Sequence, residues 1–311
     1  MAEIMVPGLH KRILFQHMKT IELTRNTIDL KQFIKRTALE SDFQTLIKQD
    51  CIITENGVPR ILYLKLGSES RIVREVCKKI KYQANTRTAG LKTLSAIFGF
   101  SPRNTIRRDF CSGTGLAMHK QNYNAVICDF GIVLSKLYEQ YFPKVFAEHS
   151  KVTNEKISKD WRIKDTPFTS GIINKNNPLK YHFDGGNIKD VLSNMIVFKE
   201  GIEGGYLACP EFNIGFEVAD NTVILFDGQN ILHGVTPIKK KQRESYRYSI
   251  VYYTLKQMWN CLPLTEEIAR IRKVHLQKER KRASGLTTAK DLLFDVAKSR
   301  LLTETKQKHA I

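Results

Sequence analysis

The hydrophobic pattern changes period at Val191, and that change most limits the folds open to this chain. Leu192, Asn194, Ile196 and Phe198 alternate with Ser193, Met195 and Val197, and Phe212, Ile214, Phe216 and Val218 follow the same rule. Successive residues of an extended strand point to opposite faces, so a period of two marks strands lying between two environments. Thr222–Phe226 and Arg247–Leu255 are further runs rich in β-branched and aromatic residues, with turns at Gly201–Gly205 and Ala219–Asn221. Short antiparallel strands joined by such turns predict a jelly roll, here a cupin-like double-stranded β-helix. The fold class is α+β with a mainly β core.

A barrel of this kind brings distant residues together. His182 and Asp184 are two apart, so on a strand both side chains project from one face. His233 lies 49 residues beyond Asp184, past strands that a barrel folds back over the first two. Two imidazoles and one carboxylate on a single face leave three positions of an octahedral ion open, a donor set that suits Fe(II). A zinc ion with water in the fourth position is the close competitor. These three residues are the candidate metal ligands and the expected catalytic centre.

Arg247 comes 14 residues after His233 and shares a strand face with Ser249. A guanidinium among Tyr246, Tyr248, Ile250 and Val251 needs a special partner. Its fork binds a carboxylate bidentately, and the serine hydroxyl adds one bond. The distal carboxylate of 2-oxoglutarate fits that pairing, which makes 2-oxoglutarate the expected co-substrate, with O2 as oxidant. Gly204-Gly205 before Tyr206-Leu207 fits a tight turn beside the site.

Charge speaks to partners. Fifty Lys and Arg against 31 Asp and Glu leave a net +19, which suits a polyanion: nucleic acid or an anionic membrane surface. No apolar run approaches the ~18 residues that cross a bilayer. Met1–Pro7 lacks the basic start and apolar core of a signal peptide. An intracellular protein with a nucleic-acid partner and no membrane partner is expected, DNA-associated if the nucleic acid is DNA, with a monomer favoured over an oligomer. The six cysteines are scattered without a CxxC pair, and in a reducing compartment they read as free thiols.

Three regions follow from the chain in order. Residues 1–80 are expected to support the core, with an early strand near Thr20–Leu23 and one or two helices from Asp29 to about Lys48. A hairpin turned at Asn56-Gly57 and a helix marked by Ile72, Val76 and Ile80 complete this region. Residues 81–260 form the core. Within it Ile97–Arg103 reads as loop, Asp129 to about His149 as one long helix and Thr166–Ile173 as a strand. Residues 71–110 hold ten Lys or Arg and two acids, with Gly, Pro and Phe interleaved, as a surface gripping phosphates would need. Residues 261–311 are a basic helical extension, broken at Ser284-Gly285 and followed by a last helix near Thr288–Leu302.

The motifs His182-x-Asp184-x-x-Asn187, Gly204-Gly205-Tyr206-Leu207, Leu232-His233-Gly234-Val235-Thr236-Pro237 and Arg247-x-Ser249 resemble the TET/JBP dioxygenases, especially their compact phage and bacterial members. Asn85-Thr86-Arg87-Thr88-x-Gly90, Phe98-Gly99-Phe100-x-Pro102-Arg103 and Arg107-Arg108-Asp109 extend the resemblance over roughly residues 80–256. The His-x-Asp, His and Arg elements are shared by many 2-oxoglutarate oxygenases, whereas the Arg87-to-Arg108 block and Leu-His-Gly-Val-Thr-Pro are more specific. The resemblance implies oxidation of the 5-methyl group of a pyrimidine in DNA, 5-methylcytosine ahead of thymine. It places Fe(II) on His182, Asp184 and His233, and 2-oxoglutarate on Arg247 and Ser249 with help from Arg87. Asn187 and Asn85 would meet the flipped base, and Phe100, Arg103, Arg107 and Arg108 the DNA. The cysteine-rich zinc-binding extension of the animal branch is missing here. The rival readings are a prolyl-type protein hydroxylase and a non-catalytic DNA-binding barrel with a structural metal.

Overall fold

The computed structural model describes residues 18–67, 70–86, 92–103 and 110–287. Strand β1 (Lys19–Glu22) is followed by a short helix α1 (Leu30–Phe33), then β2 (Thr45–Ile47) and the hairpin β3 (Cys51–Glu55) with β4 (Val58–Lys65). Next come α2 (Arg71–Lys79), β5 (Gln83–Thr86), β6 (Lys92–Ser101) and β7 (Ser112–Gly113). Helices α3 (Gly115–His119), α4 (Gln121–Tyr141) and α5 (Pro143–Lys156) precede the strand-rich half. There β8 (Ser170–Lys175), β9 (Leu179–His182), β10 (Ser193–Glu200), β11 (Ile202–Gly204) and β12 (Leu207–Cys209) lead on to the second set. That set is β13 (Ile214–Phe216), β14 (Thr222–Phe226), β15 (His233–Val235), β16 (Ile238–Lys240) and β17 (Tyr246–Tyr253). Helix α6 (Leu264–Ala283) is the last described element.

Most of the described strands assort into two facing sheets, with β11 and β16 paired separately. One has β8, β17, β10 and β14 side by side at its centre, and the other has β9, β15, β12 and β13. Chain order alternates between them, β8 to β9 to β10 and then β13 to β14 to β15, which is the winding of a double-stranded β-helix. The period of two now has its cause. On β10, Met195 and Val197 point between the sheets with Tyr63, Leu207, Ile214, Phe216 and Ile224. Ile196 and Phe198 point the other way, into a layer shared with Val76 of α2 and Ile127, Leu134 and Tyr138 of α4. Strands covered on both faces read as almost continuously apolar, so the polar Ser193, Asn194 and Lys199 of β10 are exceptions that need reasons.

The N-terminal segment is woven into both sheets. β1 pairs parallel with β3 at one edge of the larger sheet, and β2 pairs parallel with β13 at one edge of the smaller. The hairpin β3–β4 joins the larger sheet through β14.

Several local expectations change once tertiary pairing is seen. The apolar spacing from Asp29 to Lys48 gives only α1, a single turn at Glu40–Asp42 and β2. Leu30, Phe33 and Phe43 are spent covering Tyr181 and Leu232 rather than forming one helical face. Ile97–Ser101 is strand, not loop, because β6 pairs along β8 and Phe98 lies over Gly171, where a Cβ would sit 2.0 Å from the ring. The long helix starts earlier, at Gln121, and breaks at Phe142, where Pro143 opens α5 instead of donating within α4. Strand β8 begins at Ser170, later than Thr166. On α2 the buried stripe is Val73, Val76, Cys77 and Ile80, leaving Ile72 exposed. Cys111 and Cys261 form a disulfide across 150 residues, while Cys51, Cys77, Cys128 and Cys209 are free and buried. No local spacing announces that pair, since the fold alone brings the start of the C-terminal extension beside β7. The expected helix at Thr288–Leu302 lies outside the described residues.

Candidate metal and co-substrate site

The smaller sheet sets two of the three candidate ligands. His182 ends β9 and His233 begins β15, and the two are direct partners in the antiparallel register. Their ring centroids are 4.4 Å apart. His182 Nδ1 lies 2.8 Å from the Lys180 carbonyl and His233 Nδ1 lies 2.9 Å from that of Ile231. A carbonyl only accepts, so each Nδ1 carries the proton and each Nε2 keeps its lone pair for a metal. The Phe226 ring meets His233 edge-on at 4.9 Å and holds it from behind.

Asp184 stands just past the end of β9, so a turn delivers it rather than the strand itself. Its backbone N–H donates to Gly228 O at 2.8 Å. Oδ1 then sits 3.7 Å from His182 Nε2 and 3.8 Å from His233 Nε2, and one donor atom from each residue lies within 4.8 Å of the others. Gly228 makes this approach possible, because a Cβ there would stand 2.3 Å from Asp184 Oδ2. Two neutral imidazoles and a carboxylate converging on one point fit a divalent iron with open positions.

Arg247 and Ser249 lie on β17 opposite Lys199 and Val197 of β10, on the face turned between the sheets. Arg247 is 1% exposed, and its Nε and Nη2 are buried without a hydrogen-bond partner. Burial alone pushes its pKa down to about 10. Gly205, at φ +70°, presses against the guanidinium stem, since a Cβ there would meet Cδ at 3.1 Å and Nε at 3.2 Å. The Gly204-Gly205 turn therefore does flank the site, and a residue restricted to negative φ could not close it. Unpaired nitrogens in such a place are costly unless an anion completes them. A carboxylate of 2-oxoglutarate has the matching chemistry.

Sequence reasoning missed three nearby residues. Lys199 faces Arg247 across the strands and donates to Gly204 O at 3.1 Å; burial first, and then the neighbouring guanidinium, hold its pKa below the usual lysine value. Its one signal was a cation within an alternating apolar run. Ser193 donates to Asp184 Oδ2 at 3.4 Å. Gly228 had no signal beyond being a glycine between strands.

The other expected residues are distributed differently. Asn187 is near the triad, its Nδ2 donating to Ser193 Oγ at 3.4 Å. Arg103, expected to face DNA, forms a two-pronged ion pair with the buried Glu267 of α6. Burial pushes the Glu267 pKa up, but Arg103 and the N–H groups of Cys111 and Leu262 outweigh it and hold the carboxyl below its usual range. Phe100 packs edge-on against Trp161 at 5.7 Å. Arg87, Arg107 and Arg108 lie outside the described residues, and Asn85 is described only as backbone of β5.

Fold and donor set together match those of the iron and 2-oxoglutarate oxygenase class. Residues 102–256 match the family model Tet_JBP, the oxygenase domain of the 2OGFeDO superfamily, a span that includes all three candidate ligands and Arg247. This oxygenase domain belongs to the TET/JBP family.

The chain is 24% identical over 244 residues to the bifunctional helicase and thymine dioxygenase JBP2 of Trypanosoma brucei brucei, covering 75% of this chain and 22% of that protein. It is 24% identical over 227 residues to JBP2 of Trypanosoma cruzi, covering 69% and 20%. It thus spans about a fifth of the length of these curated relatives. Among solved structures, NgTET1 in complex with 5mC DNA shares the fold at a TM-score of 0.54 and 16% identity, over 79% of this chain and 85% of that one. No helix among the described residues is long and apolar enough to cross a membrane.

Proposed function

We propose that this protein oxidises the 5-methyl group of a pyrimidine in DNA, using Fe(II), 2-oxoglutarate and O2, with 5-methylcytosine as the natural base. The observation that carries the reading is the buried, unpartnered Arg247 in the same barrel as a converging His182, Asp184 and His233. A triad alone would serve many metals, whereas an orphaned guanidinium calls for a carboxylate co-substrate. The +19 charge and the TET/JBP domain support DNA as the polyanion.

His182, Asp184 and His233 would hold the iron, which supplies oxidation of an unactivated methyl group at the expense of 2-oxoglutarate. The protein's own residues do the rest. Arg247 anchors the co-substrate carboxylate, with Ser249 two residues on along the same face. The carbonyls of Lys180 and Ile231 fix the histidine tautomers. A stacked base cannot bring its methyl group to a half-buried centre, so the base must leave the stack at a cost on the order of a few kcal/mol. Phosphate contacts from the chain's excess of Lys and Arg offset that cost.

Thymine is the second reading, because the JBP2 relatives are named thymine dioxygenases. Purified protein with Fe(II), 2-oxoglutarate and duplexes carrying either 5-methylcytosine or only thymine decides between them. Succinate release that depends on the 5-methylcytosine duplex, with 5-hydroxymethylcytosine found by nucleoside mass spectrometry, is the expected result. Release that is the same without DNA would overturn the DNA reading.

A further inference from the structure

We propose that Ser193 is a positioning residue. Its hydroxyl holds the metal carboxylate of Asp184 and turns the Asn187 amide so that Asn187 meets the substrate base with its oxygen, as an acceptor. The inference rests on the triad as metal site and on a flipped pyrimidine as substrate.

Ser193 opens β10 on the face turned between the sheets and is 4% exposed. Its Oγ stands 3.4 Å from Asp184 Oδ2 and 3.4 Å from Asn187 Nδ2. A hydroxyl has one proton to give, and an ionised carboxylate can only accept. The serine proton therefore goes to Asp184, and what remains for Asn187 is a lone pair. Only the NH2 end of the amide can satisfy a lone pair. The direction of the amide thus follows from hydrogen-bonding chemistry.

The consequences run both ways along this chain of contacts. Toward the metal site, Oδ2 accepts from Ser193 while Oδ1 faces both histidine Nε2 atoms, so Oδ1 is the oxygen that would be offered to an ion. Toward the substrate, Asn187 Oδ1 has no hydrogen bond among the described residues. The Asn187 backbone cannot swing to compensate. It bridges Leu255, while Ile188 N donates to Thr254 O and Lys256 N donates to Gly186 O, each at 2.9 Å. A fixed acceptor two hydrogen bonds from the metal carboxylate selects a base edge that offers an N–H. In 5-methylcytosine that donor is the 4-amino group.

Ser193→Ala and Ser193→Thr test both halves. Co(II) titration followed by visible absorption, without DNA or oxygen, reads the Asp184 half. Removing a group that orients a metal ligand typically costs 10–100-fold in affinity, and at these long contacts a loss of about tenfold is expected for Ser193→Ala, with Ser193→Thr near wild type. Relative kcat/KM on duplexes carrying 5-methylcytosine or 5-methylpyrimidin-2-one, which lacks the 4-amino donor, reads the Asn187 half. Wild type and Ser193→Thr should prefer 5-methylcytosine about tenfold or more, and Ser193→Ala should lose most of that preference. Co(II) affinity in Ser193→Ala within twofold of wild type, or a threonine variant no better than alanine, overturns the proposal. Equal use of both bases by wild type overturns the acceptor assignment. Wild type that binds Co(II) but leaves DNA unaltered sinks the functional reading, while the metal titration still judges Ser193.

Discussion

Gly228→Ala should disable the metal site while leaving the fold in place. The added Cβ would sit 2.3 Å from Asp184 Oδ2, 2.9 Å from its Cγ and 3.3 Å from His233 Cε1, with no other residue among the three nearest atoms. Carbon and oxygen atoms settle at roughly 3.5 Å, so the carboxylate must retreat by about 1 Å. The Gly228 carbonyl also takes the Asp184 N–H at 2.8 Å, so Asp184 cannot yield by sliding its backbone away without losing that bond. Metal–ligand distances tolerate about ±0.2 Å, and a misplacement of about 1 Å can cost 10²-fold in rate. The expected outcome is a Co(II) affinity lower by 10–100-fold and turnover lower by about 100-fold at moderate Fe(II). The melting temperature should stay close to wild type, because the new methyl meets the site and not the core. An alanine variant whose metal affinity stays within about threefold of wild type would show that Asp184 is not held where the Gly228 contact implies.

Three other outcomes are expected, two of them for one variant. Arg247→Met removes a buried cation with unpaired nitrogens, so the ligand-free protein should melt no lower than wild type. The same variant should lose the stabilisation that 2-oxoglutarate at 100 times its Kd gives a binding-competent protein, about 2.7 kcal/mol by linkage; a retained thermal shift would remove Arg247 from the co-substrate site. His149 is fully buried, and desolvation lowers its pKa to about 3 from the unfolded 6.5. Above pH 6.5 it is neutral in both states and adds no pH dependence. Below 6.5 the unfolded chain takes a proton that the fold refuses, so stability falls at up to about 1.4 kcal/mol per pH unit until pH nears 3. Urea unfolding at pH 7, 5.5 and 4.5 should show this decline, and a His149→Gln variant with an unchanged pH profile would refute the assignment.

The parts of the site that could be read from sequence are those carried by local spacing. His182 and Asp184 are two apart, Arg247 and Ser249 are two apart, and alternation along β10 and β13 announced one strand of each sheet. Ser193, Lys199 and Gly228 were hidden because their meaning is set by register. Lys199 matters only because β10 and β17 place it opposite Arg247. Gly228 matters only because the Asp184 turn folds under it. Where composition misled, partners decided. The Gly, Ser and Pro around Phe98 read as a loop until β8 supplied a pairing edge, and Arg103 read as a phosphate ligand until Glu267 was found beside it. Cys111 and Cys261 were separated by more chain than any local pattern spans.

The place of β17 at the centre of the larger sheet has a bearing on how the protein is made. It lies between β8 and β10, both of which leave the ribosome earlier. Without β17, the edges of β8 and β10 that it pairs in the finished sheet would both be bare. Such edges invite pairing with other chains. A ribosome that stops before Tyr246 thus releases a species prone to aggregate, even though His182, Asp184 and His233 are all present. The strand that carries the buried Arg247 is also the one that joins β8 to β10, so a chain that stops before it lacks both the cation and the centre of the sheet.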